Sequence, residues 1–239
     1  MLKNYILVML RSLRKNGIYS FINITGLSIG IMCSLLILLW VFDELSYDRF
    51  HPKADRLYQV YVNAWFDGKI NTWRSMPLPT SEGLKTEHSD IVNTTSSDWG
   101  GERLLTVGEN SIKKRGYYAG EEFLEMFEFP LVQGDPAKVL DDQTSIVISE
   151  STAKALFGDE DPINKIIRVD NLYDQKVTGV VKDVPKNSSF EFECLLPWKL
   201  YLTLDWVKDN LDNWGNYSFQ AFVELNGSES QAEVEEKIK

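Results

Sequence analysis

Hydrophobic and polar positions divide this chain into three parts: a short amphipathic stretch, one unbroken apolar run, and a long region of short alternating segments. The apolar run covers residues 18–42, IYSFINITGLSIGIMCSLLILLWVF, and holds no Asp, Glu, Lys, Arg or His. At about 1.5 Å of rise per residue it makes a helix of roughly 37 Å, enough to cross a hydrocarbon core of about 30 Å. A helix this long and apolar on every side does not fit the core of a soluble domain. The run also exceeds the h-region of a signal peptide, about 7–15 residues, and no A-x-A-like site follows it, so it reads as an uncleaved anchor. Ahead of it, residues 2–15 place Leu2, Ile6, Met9, Leu10 and Leu13 on one helical face, with Lys3, Arg11, Arg14 and Lys15 elsewhere. That is a basic amphipathic helix suited to the inner membrane interface, ending in a turn at Asn16-Gly17.

After the span the period shortens. Residues 57–64 alternate as one strand, and residues 77–88 read as a helix opened at Pro79-Thr80 with Leu84 as its apolar contact. Strands are expected at 91–98, 103–107 and 111–118, the last two joined at Gly108-Glu109-Asn110, then a short helix at 121–127 burying Phe123, Leu124 and Phe127. A strand at 144–148 leads to Ser149, which caps a helix running through Phe157 and stopping at Gly158. Strands at 165–169, 175–182 and 190–196 follow, with a turn at Pro185-Lys186-Asn187. A helix opened by Pro197-Trp198 is expected to run to about Asn210, then a strand at 218–225. Ser228 with Gln231 forms a capping box for a last helix. Mixed short helices and strands predict an α+β exterior of two subdomains, with a boundary near residues 80–100. The expected division is a cytoplasmic helix at 1–17, a transmembrane helix at 18–42 and an exterior domain at 43–239.

Charge fixes the orientation. The four cations before the span face no acid there, while all 35 acids and 21 of the 25 Lys and Arg follow it, a net charge of −14. Lys3, Arg11, Arg14 and Lys15 therefore keep the N-terminus in the cytoplasm and send the rest outside. An exterior this acidic repels nucleic acid, which is excluded as a partner. Within the span, Gly26, Gly30 and Ser34 recur at i, i+4 and i+8 with Asn23 beside them, a face on which a second helix can pack closely. The two cysteines, Cys33 in the span and Cys194 outside, cannot pair.

Catalytic chemistry is missing from the sequence. There is no phosphate loop, no G-x-G-x-x-G, no C-x-x-C and no H-E-x-x-H, and two histidines do not make a multi-histidine zinc site. His51, in the turn Arg49-Phe50-His51-Pro52, reads as a solvated turn residue. Ser149 and Ser151 have no histidine nearby to activate them. Asp159-Glu160-Asp161 lacks the spaced oxygens of a calcium loop and reads as a solvated turn. No enzyme, cofactor or metal site is expected.

Four blocks resemble one family. They are LRSLRKNGIYSFINITGLSIGIMCSLLILLWVFDELSYDRFHPKADRLYQV, then GEEFLEMFEFPLVQGDPAKVL (120–140), TSIVISESTAKALFGDEDPINKIIRV (144–169) and VTGVVKDVPKNSSFEFECLLP (177–197). Together they resemble the opening of MacB/FtsX-like ABC transporter permeases of the Bacteroidetes type. The resemblance implies a first membrane helix, a periplasmic core domain and three further membrane helices, in a bacterial inner membrane. It also implies a separate cytoplasmic ATPase, a second permease copy, and a periplasmic adaptor or outer-membrane component as partners. Movement driven by the ATPase would reach the periplasmic domain for export or handling of substrates. The chain stops at Lys239 without another apolar run, so it reads as the N-terminal part of such a permease, a fragment or a truncated product. The competing reading is a single-span sensor or ligand-binding module facing outwards.

Overall fold

The structure, a computed structural model, describes residues 2–227 and 231–238. By contacts the chain forms two units, residues 1–47 and 48–239. The first holds α1 (Leu2–Lys15) and α2 (Gly17–Ser46), separated by Asn16. α1 carries Arg14 and Lys15 in its last turn, where cations offset the helix dipole. None of α2 is buried, and it is the one helix among the described residues long and apolar enough to cross a membrane. It ends where Tyr47 turns extended, with φ −59° and ψ 130°.

The second unit starts with turns at 48–56 and β1 (Leu57–Gln59), then a hairpin of β2 (Val62–Phe66) and β3 (Lys69–Trp73). α3 (Thr80–Glu87), β4 (Ile91–Ser97), β5 (Gly101–Val107), β6 (Asn110–Ala119), α4 (Phe123–Phe127) and β7 (Leu131–Gln133) follow. Next are β8 (Ser145–Ser149), α5 (Glu150–Phe157), β9 (Ile166–Val169), β10 (Tyr173–Val181) and β11 (Cys194–Pro197). Two single-turn helices, α6 (Trp198–Tyr201) and α7 (Asp205–Lys208), lead to β12 (Gln220–Leu225) and α8 (Gln231–Ile238).

Pairing joins β6 to β11, β11 to β8, β8 to β10, β10 to β9, β9 to β5, and β5 back to β6. Six strands thus close a ring, which leaves no free edge of its own. β8 is buried at every residue, as a strand packed on both faces must be. Its Ile146 and Ile148 join Leu105, Ile167, Val169, Val177 and Leu196 in one core, while Val147 faces a second core of phenylalanines. Beside the ring, β4 meets β6 at Ser97 and Ala119 and continues through β12 to β1. α3 and α8 cover this flank through Leu84 and Val234, against Ile91, Val223 and Leu225.

Most expected elements are present, Ser149 among them: its hydroxyl accepts the Thr152 N–H as the N-cap of α5, and Gly158 closes that helix with φ 63°. Four expectations need correction. The strand expected at 57–64 breaks after Gln59, because β1 pairs with β12 whereas β2 pairs with β3. Its turn, Asp67-Gly68, has φ of 50° and 73°, the left-handed pair that a two-residue hairpin needs. The strand expected from 190 begins only at Cys194, since Phe190 and Phe192 turn into the phenylalanine core instead. The helix expected to reach about Asn210 is cut at Leu204, extended at ψ 134°, with the Thr203 hydroxyl bonded to the Leu200 carbonyl. β7, unexpected, pairs with β10. The capping box at Ser228 and Gln231 lies outside the described residues.

Candidate functional site

The turns at 48–56 are the first part of the second unit, directly after the apolar helix in sequence, and their polar groups are bonded to three separate elements. Asp48 adopts φ 57°, a left-handed conformation that Asp tolerates better than most residues. Its N–H donates to the Asn187 carbonyl at 2.9 Å, and its Oδ1 accepts the Ser189 N–H at 2.7 Å. Its Oδ2 accepts the Ser189 hydroxyl. Asp48 is thereby fastened to the loop between β10 and β11.

His51 is a turn residue but not a solvated one: it is only 6% exposed. Its ring packs between Phe127 and Phe129, with centroids 5.5 and 5.0 Å away, and Phe50 beside it. Nδ1 lies 2.7 Å from the Phe127 carbonyl, an acceptor, so Nδ1 carries the proton and donates. Burial lowers the imidazole pKa below its ordinary 6.5, against the opposing pull of the Phe127 carbonyl and Asp48. The folded state therefore favours the neutral ring. Its contribution to stability is full above the unfolded value and is lost as pH falls through the folded one. The urea midpoint should drop between about pH 7.5 and pH 5.5, and more steeply than in His51→Asn. Equal slopes for the two proteins would contradict this.

Two residues further on, Lys53 Nζ lies 3.1 Å from Glu224 Oε1 and 3.5 Å from Glu128, and Arg56 reaches Glu224 at 3.8 Å. Glu224, on β12, has a side chain only 4% exposed, and its other oxygen accepts from Asn93 at 3.2 Å. Loop, α4 terminus and β12 are thus all held by one nine-residue segment. The arrangement positions the segment on the domain; it brings no nucleophile to a base.

A second polar cluster lies where the ring meets its flank. Asp98 accepts the Tyr118 N–H at 2.9 Å and faces Arg103 at 3.3 Å, while Arg103 lies 4.7 Å above the Tyr118 ring and 3.6 Å from Asp170. Burial raises the Asp98 pKa, opposed by the Tyr118 N–H and Arg103. Nearby Cys194 is pushed up to about 12 by burial, so its thiol stays protonated and unreactive. This cluster ties β5 to β6 from within.

The family model described as the MacB-like periplasmic core domain matches residues 20–239. This chain belongs to that family. The MacB-like fold is also found among solved structures. One, a domain of a Porphyromonas gingivalis protein classed as a permease, has a TM-score of 0.66 at 24% identity, covering 78% of this chain and 82% of that one. The periplasmic region of MacB from Actinobacillus actinomycetemcomitans has a TM-score of 0.56 at 19% identity, covering 78% and 81%. The extracellular domain of the noncanonic ABC-type transporter YknZ from Gram-positive bacteria has 0.50 at 15%, covering 72% and 83%. Among curated proteins none matches the chain significantly. The family is a component of transporter permeases rather than a class of enzyme.

On this MacB-like chain, Arg11, Arg14 and Lys15 are exposed on α1, which also contains Lys3. Asn23, Gly26, Gly30 and Ser34 are exposed on α2, with open space where a Cβ on either glycine would stand. The Ser34 hydroxyl donates to the Gly30 carbonyl at 2.9 Å, so this hydroxyl bonds within its own helix. Ser149 and Ser151 lie 3.1 Å apart with Asp183 accepting the Ser151 N–H, and in the acidic turn Asp159 and Glu160 pair with Lys154 and Lys165. Asp48, Lys53, Ser189 and Glu224 were not singled out by sequence. The usable signal was the density of charged and aromatic residues at 48–56 immediately after an apolar run.

Proposed function

We propose that this chain is the first membrane helix and periplasmic domain of an ABC-transporter permease that passes on movement driven by a separate cytoplasmic ATPase. Family membership supports the permease part, and the fastening of 48–56 to three elements carries the mechanical part. A segment bonded to one loop alone would bend that loop. A segment bonded to the 187–189 loop, to α4 and to β12 moves the domain as a body. In this reading α2 spans the inner membrane with Lys3, Arg11, Arg14 and Lys15 inside, and the acidic domain stands in the periplasm. Gly26, Gly30 and Ser34 face another helix of the permease, which works as a pair of copies with an adaptor or outer-membrane component beyond. Export or periplasmic handling of a substrate is the outcome.

Two measurements test this. A reporter fused after residue 239 should be active only on the periplasmic side, and strong cytoplasmic activity would overturn the orientation. For coupling, a spin label at Glu109→Cys, in the exposed β5–β6 turn, is placed on both copies of the permease reconstituted with its ATPase, in a Cys33→Ser background. The label-to-label distance should change with ATP and return after hydrolysis. A distance indifferent to nucleotide in a hydrolysing complex would sink the mechanical reading.

A further inference from the structure

Exposed tryptophans gather at one end of the flank. Pairing sets Gln59 beside Phe222 and Ser97 beside Gln220, so β1 ends, β4 ends and β12 begins at the same end of that sheet. Trp73 closes β3, Trp99 follows β4, and Trp206, Trp214 and Tyr217 lie on the stretch that leads into β12. Each of the five is between 39% and 59% exposed, whereas tryptophan is on average a well-covered residue. Residues 217–219 hold them in one strip. Trp73 packs edge-on against Tyr217 with centroids 5.7 Å apart, and the Trp99 indole N–H donates to the Ser218 carbonyl at 2.9 Å. Trp206 stacks on Phe219, also at 5.7 Å. The Trp214 Cη2 lies 3.4 Å from where a Cβ on Gly83 would stand, so α3 backs that ring.

What the strip offers outward is ring faces and amides. The Trp206 and Phe219 planes are 3° apart, so the buried Phe219 covers one face of the indole. Trp206 is still 46% exposed, which leaves its other face to solvent. Trp99 has its one polar atom bonded, so its ring is what remains to offer. The loop between the rings braces itself: Asn210 donates to the Trp206 carbonyl at 2.7 Å, Asn213 to Asn210 Oδ1 at 2.8 Å, and the Gly215 N–H to Asn213 Oδ1 at 2.9 Å. Asn216 Oδ1 accepts the Ser218 hydroxyl, while its Nδ2 has no partner among the described residues. Residues 205–218 carry Asp205, Asp209 and Asp212 against Lys208, a charge of −2, and Lys208 lies beside Asp205 at 3.7 Å.

We propose that this strip binds a glycan, an uncharged chain of pyranose sugars laid along the ring faces. The C–H bonds on the face of a pyranose carry partial positive charge, and the face of an aromatic ring is negative, so the two attract when stacked. Sugar hydroxyls and N-acetyl carbonyls then meet the Asn216 amide as donor and the Asp212 carboxylate as acceptor. A loop already braced loses little freedom on binding, which favours a weakly held ligand of this kind. Charge selects among ligands: a local −2 on a domain of −14 repels anionic polymers and anionic lipid, and leaves neutral sugars unopposed. The same repulsion makes a second copy a poor occupant. A protein partner is anchored by side chains that fill pockets, whereas these rings are backed by their own chain and present flat faces. The strip binds sugar whether or not the domain passes on movement.

The experiment is calorimetric titration of the full chain, in phosphatidylcholine nanodiscs free of sugar detergents, with the uncharged hexamer of β-1,4-linked N-acetylglucosamine. Saturable binding is expected with a dissociation constant on the order of 0.1–1 mM. Trp206→Ala should weaken it at least about tenfold, and Trp206→Phe, which keeps a ring on Phe219, by no more than about threefold. Asn216→Asp keeps the acceptor for Ser218 and removes the free donor, and should weaken binding about fivefold. Trp65→Ala should change nothing: Trp65 is exposed, and on the hairpin it faces the opposite side from Trp73. The proposal fails if no saturable heat appears, or if Trp206→Ala binds like the wild type. It fails equally if Trp65→Ala loses as much as Trp206→Ala, since that is unspecific adsorption. Heat on adding phosphatidylglycerol vesicles that disappears in Trp206→Ala would give the face to a bilayer instead. Concentration-dependent pairing in sedimentation, abolished by Trp206→Ala, would give it to a second copy.

Discussion

Asp48→Gly is expected to weaken the hold of 48–56 on the 187–189 loop about tenfold, and so to shrink the ATP-driven distance change of the exterior domain, while leaving the domain folded and the ATPase active. Glycine accepts the φ of 57° at this position without strain, so the substitution removes only the carboxylate. Lost with it are the Ser189 N–H bond at 2.7 Å and the Ser189 hydroxyl bond. Bonds to a charged group are worth about 1.5–3 kcal/mol when buried, but these lie at the surface, and about 1–2 kcal/mol for the pair is the reasonable scale. That is small against a domain stability of about 5–15 kcal/mol. It is comparable with the 1.4 kcal/mol that makes a factor of ten, so the fold survives while the grip on the 187–189 loop slackens. Spin-label distances at Glu109→Cys, with phosphate release measured in the same sample, separate the two effects. Full movement in Asp48→Gly would show that the loop attachment carries no load.

What the chain discloses in sequence follows the range of the interaction involved. α2 was legible because a long apolar run needs nothing beyond itself to be a helix, and α5 because Ser149 and Gly158 mark its ends locally. The ring was not, since its closure depends on β5 meeting both β6 and β9, partners separated from it by different distances along the chain. The hairpin of β2 and β3 hid inside a longer alternation: Tyr58, Val60, Val62 and Ala64 keep the period of one strand although the pairing partner changes at Val60-Tyr61. Asp67-Gly68 was the local sign of it. Phe190 and Phe192 alternate like strand residues, yet are drawn off by Phe123, Phe127 and Phe129, a competition visible only once the core exists. His51 looked solvated because Arg49, Pro52 and Lys53 around it are polar or turn-forming. The acceptor that buries it, the Phe127 carbonyl, is 76 residues away.

Glu224 sets the largest expected loss of stability. Its side chain, 4% exposed on a strand buried throughout, lies beside Lys53 at 3.1 Å, Arg56 at 3.8 Å and the Asn93 amide at 3.2 Å. Lys53 is the closest of the cations and the better covered, 20% exposed against 39% for Arg56. Lys53→Met keeps the stem length and removes the ammonium, leaving a buried carboxylate with only the more distant, more exposed guanidinium. Removing one partner of a buried pair costs about 3–5 kcal/mol; with Arg56 still present the lower end, about 3 kcal/mol, is expected. In a chain whose β1 is held on β12 by three residue pairs, the loss should appear first as faster exchange at residues 57–59. Glu224→Gln removes the buried charge while retaining an oxygen for Asn93, so Lys53→Met with Glu224→Gln should recover most of the stability that Lys53→Met loses. Urea denaturation of the wild type, both single variants and the double completes the cycle. If the double variant is as unstable as the sum of the singles, Lys53 acts through packing of its stem rather than through the carboxylate, and the attachment of 48–56 to β12 is not electrostatic.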